Sequence, residues 1–180
     1  SCRALREPRI VNAKVIAFLC VVAFAAWYAI LGGRKIDESN VRELYTDYIS
    51  AFDKEDGKAL CKLFDSKVTG RFKSTSRSMS VKEDFDKATA CAAVEDVYQK
   101  KKLLEVAAGT DLYTNFDATI QSIVISPDKR TATVEVLIET RIGTAQKSVL
   151  DMRSQQTDTV TRSFGRMKIT RTDGTVSFFH

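Results

Sequence analysis

The longest apolar run lies near the start of the chain. From Val15 to Gly33, VIAFLCVVAFAAWYAILGG, no residue is charged. At about 1.5 Å per residue such a run reaches roughly 29 Å, close to the hydrocarbon thickness of a bilayer. The run predicts a transmembrane helix over 15–33. Trp27 and Tyr28 fall near its far end, where amphipathic rings favour the membrane interface. Arg3, Arg6, Arg9 and Lys14 make residues 1–14 a basic tail, against Arg34 and Lys35 on the other side. The base count predicts a single-pass signal-anchor with the N-terminus inside. The domain beyond it is then periplasmic, on the inner (cytoplasmic) membrane. A cleaved signal peptide is the competing reading, with Ala23-Phe24-Ala25 as a small-x-small site. The apolar run continues past that site to Leu31, which favours the anchor. Cys20 follows Leu19, where a lipoprotein cysteine needs a small residue.

Beyond a polar linker at 34–40 the pattern is that of one folded domain, 41–180. Val41, Leu44, Tyr45, Tyr48, Ile49 and Phe52 make an apolar stripe at helical spacing. Lys54-Glu55-Asp56-Gly57 breaks it, and Ala59, Leu60, Leu63 and Phe64 form a second, short helix. Lys67–Lys73 suits a short strand and Ser74–Ser80 a polar loop. Ser80 and Glu83 make an S-x-x-E capping box that predicts a third helix to about Glu105. Its apolar arc holds Val81, Phe85, Ala88, Cys91, Ala92, Val94 and Tyr98.

After Gly109 the period changes to two. Phe116, Ala118 and Ile120 alternate, then Ile123 and Ile125 in the other phase, which predicts a β-bulge near Ser122. Ser126-Pro127-Asp128-Lys129 is a turn. Ala132, Val134, Val136 and Ile138 alternate with Thr133, Glu135, Leu137 and Glu139. A long strand covers Ser148–Phe164, another is marked by Met167 and Ile169, and Asp173-Gly174 predicts a hairpin before Thr175–Phe179. The fold class is α+β: three helices packed on a bent antiparallel sheet, a cone behind an N-terminal transmembrane helix.

Composition changes this picture little. The apolar fraction of 44% suits a packed core. Net charge is +5, but the basic tail holds most of the excess, leaving 24 bases and 22 acids elsewhere. A nearly neutral domain gives no footprint for nucleic acid.

The element order and the segment YISAFDKEDGKALCKLF, Tyr48 to Phe64, resemble the nuclear transport factor 2-like superfamily, as does IVISPDKRTATVEV, Ile123 to Val136. That group includes ketosteroid isomerases and polyketide cyclases. Placed behind a membrane helix, the domain is similar in architecture to periplasmic scaffold proteins of type IV secretion inner-membrane complexes. The resemblance implies a tyrosine pointing into the cone from the first helix, at Tyr48. It also implies a proton-abstracting aspartate eight residues after the Phe, a position that Phe72 occupies. Proton abstraction beside a carbonyl needs both a base and an oxyanion donor, so half of the isomerase pair is missing.

Other chemistry is sparse. Glu95 falls in the expected arc of the third helix, as a pocket acid or an edge residue reaching solvent. Lys100, Lys101 and Lys102 read as a solvated helix end. The single histidine is His180, and Cys2, Cys20, Cys61 and Cys91 have no C-x-x-C pairing. No catalytic residue, cofactor site or metal site is expected. Cys61 and Cys91 are the two cysteines of the domain. Outside the cell they can form a disulfide, and otherwise they serve as small buried thiols. Two functions follow. The chain is a non-catalytic subunit or assembly factor of a membrane complex, its partners the lipid bilayer, other subunits or a second copy. Alternatively it is a small-ligand binder or cyclase/isomerase-like enzyme. A cone filled by side chains favours the first, and an open pocket with convergent polar groups favours the second.

Overall fold

The computed structural model describes residues 13–28, 33, 35–76, 79–144, 147–163 and 165–179. Helix α1, Ala13–Trp27, has 15 residues and no charge after Lys14. Its large side chains from Val15 to Tyr28 are exposed. Among the described residues no helix is long and apolar enough to cross a membrane. Residues 29–32, the last turn of the expected span, lie outside the described residues, as does most of the basic tail.

Helix α2, Glu38–Asp53, starts three residues earlier than the apolar stripe suggested, inside the expected linker. The Asp37 carboxylate accepts from the Asn40 amide at 2.9 Å, and the Asn40 side chain answers in a capping box. Its stripe is the core: Val41, Leu44 and Tyr45 are buried, with Tyr48, Ile49 and Phe52 packed beside them. Glu55, with φ of 52°, turns the chain. Asp56 then caps the short α3, Gly57–Leu63.

The next segment corrects the expected loop and helix start. Phe64–Ser76 is a full strand, β1, and Met79–Asp86 is its hairpin partner β2. Ser80-x-x-Glu83 is therefore not a capping box. The box is six residues later, where Asp86 and Thr89 cap each other and open α4, Lys87–Ala108. The helix ends on Gly109 in the left-handed region, φ 63°, where a side chain would be strained.

Strands β3 (Tyr113–Ile125), β4 (Thr131–Gly143), β5 (Ser148–Ser163) and β6 (Arg166–Phe179) complete a six-stranded sheet of order β2-β1-β6-β5-β4-β3. The β3–β4 register shifts between Ile120 and Ser122, where the phase switch placed a bulge. The sheet is not wholly antiparallel, because β1 runs parallel to β6. Nor is there a hairpin at Asp173-Gly174, since β6 runs straight through it. A Cβ on Gly174 would come within 2.8 Å of the Gln155 carbonyl and of the Phe72 ring. That glycine serves close packing between strands, not a turn. The inner face of β4, Ala132 to Ile138, seals the core against α2.

Candidate functional site

Between α2, α4, the β1–β2 hairpin and the inner face of β5 and β6 lies an open cavity of about 480 Å³. Phe64, Phe72, Phe85, Ala93, Val94 and Ile169 supply apolar wall; Tyr48, Gln156 and Thr172 supply polar groups. Phe72 stacks on Phe85 with ring centroids 5.5 Å apart. The inner face of β5 is unusual for a core strand. Three successive inward positions, Ser154, Gln156 and Asp158, are polar and buried, and buried polar groups are informative where hydrophobic ones are not.

Asp158 has no exposed surface. Its Oδ2 accepts from the Tyr45 hydroxyl at 2.5 Å and from Gln156 Nε2 at 3.1 Å, while Oδ1 has no partner among the described residues. Burial holds this carboxyl above the usual range, against the opposing effect of the Tyr45, Thr172 and Gln156 side chains around it. Burial also raises the Tyr45 phenol, helped by the neighbouring Asp158 charge. Gln156 links this inner pair to the cavity, which neither Tyr45 nor Asp158 lines.

Tyr48 reaches the cavity from α2, packed against Phe116 at 5.7 Å between centroids. It makes no side-chain hydrogen bond to the described residues. Burial, and secondarily Asp158, raises its pKa above the usual phenol value, so it remains a hydrogen-bond donor at neutral pH. Phe72 lines the same cavity and offers no base. Glu83, however, pairs in register with Phe72 and also lines the cavity. A carboxylate and a phenol do share this space, through a residue that the capping-box reading assigned to a helix start.

Glu95 lies elsewhere. It is exposed on α4, its carboxylate beside Gly57, and it does not line the cavity. The expected arc leaned on Val81 and Phe85, which belong to β2. Without them the buried side of α4 turns to Val94, Tyr98 and Lys101. Lys101 is correspondingly not a solvated end: it pairs with Glu55 and with Glu105, the latter at 3.3 Å. Cys61 and Cys91 form a disulfide with Cα atoms 5.7 Å apart, tying α3 to α4 next to the cavity wall. Trp27 and Tyr28 are exposed on and just after α1. Among the described residues no group of three or more His, Cys, Asp or Glu could hold a metal ion.

No family model matches the chain, and no curated protein does. Solved structures match by shape. A conserved protein from Planctomyces limnophilus is 21% identical with a TM-score of 0.59, covering 79% of this chain and 98% of its own. A putative scytalone dehydratase from Novosphingobium aromaticivorans is 17% identical, TM-score 0.52, covering 79% and 87%. A nuclear transport factor 2-like protein from Cytophaga hutchinsonii is 16% identical, TM-score 0.51, covering 78% and 98%. At these identities the likeness concerns fold and not chemistry. The domain that follows α1 has the nuclear transport factor 2-like fold.

Proposed function

We propose that this chain is a membrane-tethered ligand-binding protein whose cone cavity takes a small, largely apolar molecule with one polar end. The observation that carries the reading is the open cavity. Its volume of about 480 Å³ lies in the range of small-molecule sites, and so does its make-up of aromatic wall with a few convergent polar groups. Tyr48 donates, Gln156 and Thr172 both donate and accept, and the phenyl rings of Phe64, Phe72 and Phe85 cover the apolar body. The tether reading rests on the uncharged run 15–33 and on α1, whose apolar side chains are exposed on every side. A helix hydrophobic all round suits lipid.

Native mass spectrometry of the full chain, released from its own membranes in mild detergent, tests the ligand. An added mass in the small-molecule range supports it, and a bare chain under gentle release counts against it. Protease added to spheroplasts tests the tether: the reading expects digestion of 34–180 from outside, and protection until permeabilisation reverses the topology.

The second reading, a non-catalytic subunit of a membrane assembly, is favoured by a different surface. Val97, Leu103, Leu104 and Val106 stand exposed on α4, which is more apolar surface than a solvated helix needs. Co-purification of a stoichiometric membrane partner, lost on Leu104→Glu, supports that reading. A chain that purifies alone from native membranes removes it.

A further inference from the structure

The end of the domain nearest α1 carries a second cleft, of about 280 Å³, between α2, α3 and the β5–β6 turn. Lys62, Arg162, Arg166 and Lys168 line it against Glu43 and Asp47. None of these six makes an ion pair among the described residues. By contrast Arg71, Arg141, Arg153 and Arg171, on the strands, each have a carboxylate partner. Arg162 donates through Nη1 to the Lys35 carbonyl and to Asn40 Oδ1, both at 2.9 Å, and its Nε is buried without a partner. The Lys168 ammonium is held below its usual range by burial and then by the positive charges of Lys87 and Arg166. Asp65 and Asp37 lie within electrostatic reach of Lys168 and Arg162, yet among the described residues no carboxylate contacts the four cations. Cations that crowd without an ion-pair contact mark a place where an anion is stabilised.

The location says which anion. Gly165, in the cleft wall, donates its amide to the Gly33 carbonyl at 3.0 Å. Gly33 is the last residue of the apolar run. The cleft therefore opens where the chain leaves α1, at the height of lipid headgroups if α1 is embedded. Leu63 and Met167 supply a partly buried apolar floor.

We propose that this cleft binds the phosphate headgroup of an anionic phospholipid and so docks the domain on its own bilayer in one orientation. The proposal rests on the tether reading. Arg162 and Arg166 offer planar forked donors suited to a phosphodiester, and Lys62 and Lys168 offer point charges. The net excess of two positive charges in the lining, four bases over two acids, exceeds the single negative charge of a phosphodiester.

Hydrogen exchange of the full chain in nanodiscs tests it. Discs of phosphatidylcholine alone are compared with discs containing about one-third phosphatidylglycerol. The expected result is slower exchange over 40–48 and 159–169 in the anionic discs. One base near an anionic surface contributes about fivefold in affinity, so Lys62→Gln with Arg166→Gln loses most of that lipid-dependent protection. Unchanged exchange across β3 and β4 shows that the variant is folded. Arg162 is left alone, because it also holds Lys35 and Asn40. Equal exchange of the wild-type chain in the two lipids overturns the proposal. Inorganic phosphate or glycerol 3-phosphate that gives the same protection in phosphatidylcholine discs assigns the cleft to a free anion and overturns the lipid. Carbonate washing of the same chain in phosphatidylcholine vesicles keeps the two readings apart: a chain that washes off defeats the tether, and a chain that stays while exchange ignores lipid charge defeats the headgroup site alone.

Discussion

Breaking the disulfide is expected to destabilise the domain more than any single contact on α4. Of the helix's residues only Tyr98 is buried, so apolar burial fastens α4 weakly. Cys61 and Cys91 are 30 residues apart in sequence. For a loop of that length the loss of chain entropy in the unfolded state corresponds to about 3.6 kcal/mol at 25 °C. The double substitution Cys61→Ala, Cys91→Ala removes this constraint and leaves the small side chains that the site tolerates. With a urea slope of about 2 kcal/mol/M for a domain of this size, the midpoint should fall by roughly 1.8 M. Circular dichroism of the full chain in detergent, with and without a dithiol, reads the same quantity in the unsubstituted protein. The reduced wild type and the double variant should then unfold together. A midpoint shift below about 0.5 M with an unchanged slope, roughly 1 kcal/mol or less, refutes the view that the bond and not packing holds α4.

Three further outcomes are expected. Tyr45→Phe removes the buried donor to Asp158 and should cost about 1–3 kcal/mol by denaturant titration; no measurable loss means that the hydroxyl is not bonded there. Asp158 has a raised folded-state pKa, so its contribution to stability is fully present below an unfolded value of about 3.9 and is lost as pH rises through the folded value. Asp158→Asn removes that loss, and its stability relative to wild type should improve from about pH 4 toward neutrality; a pH-independent difference means that Asp158 folds ionised. Glu83 faces the cavity opposite Phe72. If the pair with Tyr48 acts on a β,γ-unsaturated ketone, turnover should fall at least about a hundredfold in Glu83→Gln and in Tyr48→Phe alike. Turnover that survives Glu83→Gln places the base elsewhere.

The parts of the fold that were legible in the sequence are those written as a period. The stripe Val41, Leu44, Tyr45 buries itself as its spacing demands, β4 alternates as read, and the phase switch after Ile120 falls where β3 shifts register. The β1–β2 hairpin was not legible, because its residues are mostly polar and both faces of β2 are largely exposed. Two capping patterns, Ser80 with Glu83 and Asp86 with Thr89, stand six residues apart in this stretch, and pairing of β2 with β1 leaves only the second at a helix start. Asp173-Gly174 misled for a similar reason: a glycine required by the close approach of Phe72 and Gln155 is spelled like a turn. The parallel pairing of β1 with β6 joins segments about a hundred residues apart, and no local pattern encodes it. Of the site, Tyr48 was visible through the resemblance of Tyr48–Phe64 to the nuclear transport factor 2-like pattern, its periodicity alone placing it only on the core stripe. Gln156 and Thr172 were not, since the strand holding Gln156 was read by its extent alone and Thr172 stood beside the expected turn, so neither had a face until the sheet was formed. Of the two readings open for Glu95, the residue at the edge of the arc reaching solvent is the one found, and the pocket reading fails because the arc included two residues of a strand.

If the cone between α2, α4 and the sheet holds a small molecule, filling the cone should expel it. Ala93 lines that space from α4, and an indole there occupies much of it without touching the buried Tyr45–Asp158 pair. The direct measurement compares organic extracts of wild type and Ala93→Trp, purified in parallel from the same membranes and weighed against protein by mass spectrometry. One species is expected at close to one mole per mole in the wild type, and its loss, by at least about tenfold, in an Ala93→Trp chain whose urea midpoint is preserved. Equal recovery from the two chains, or no species above detergent background in the wild type, contradicts that expectation.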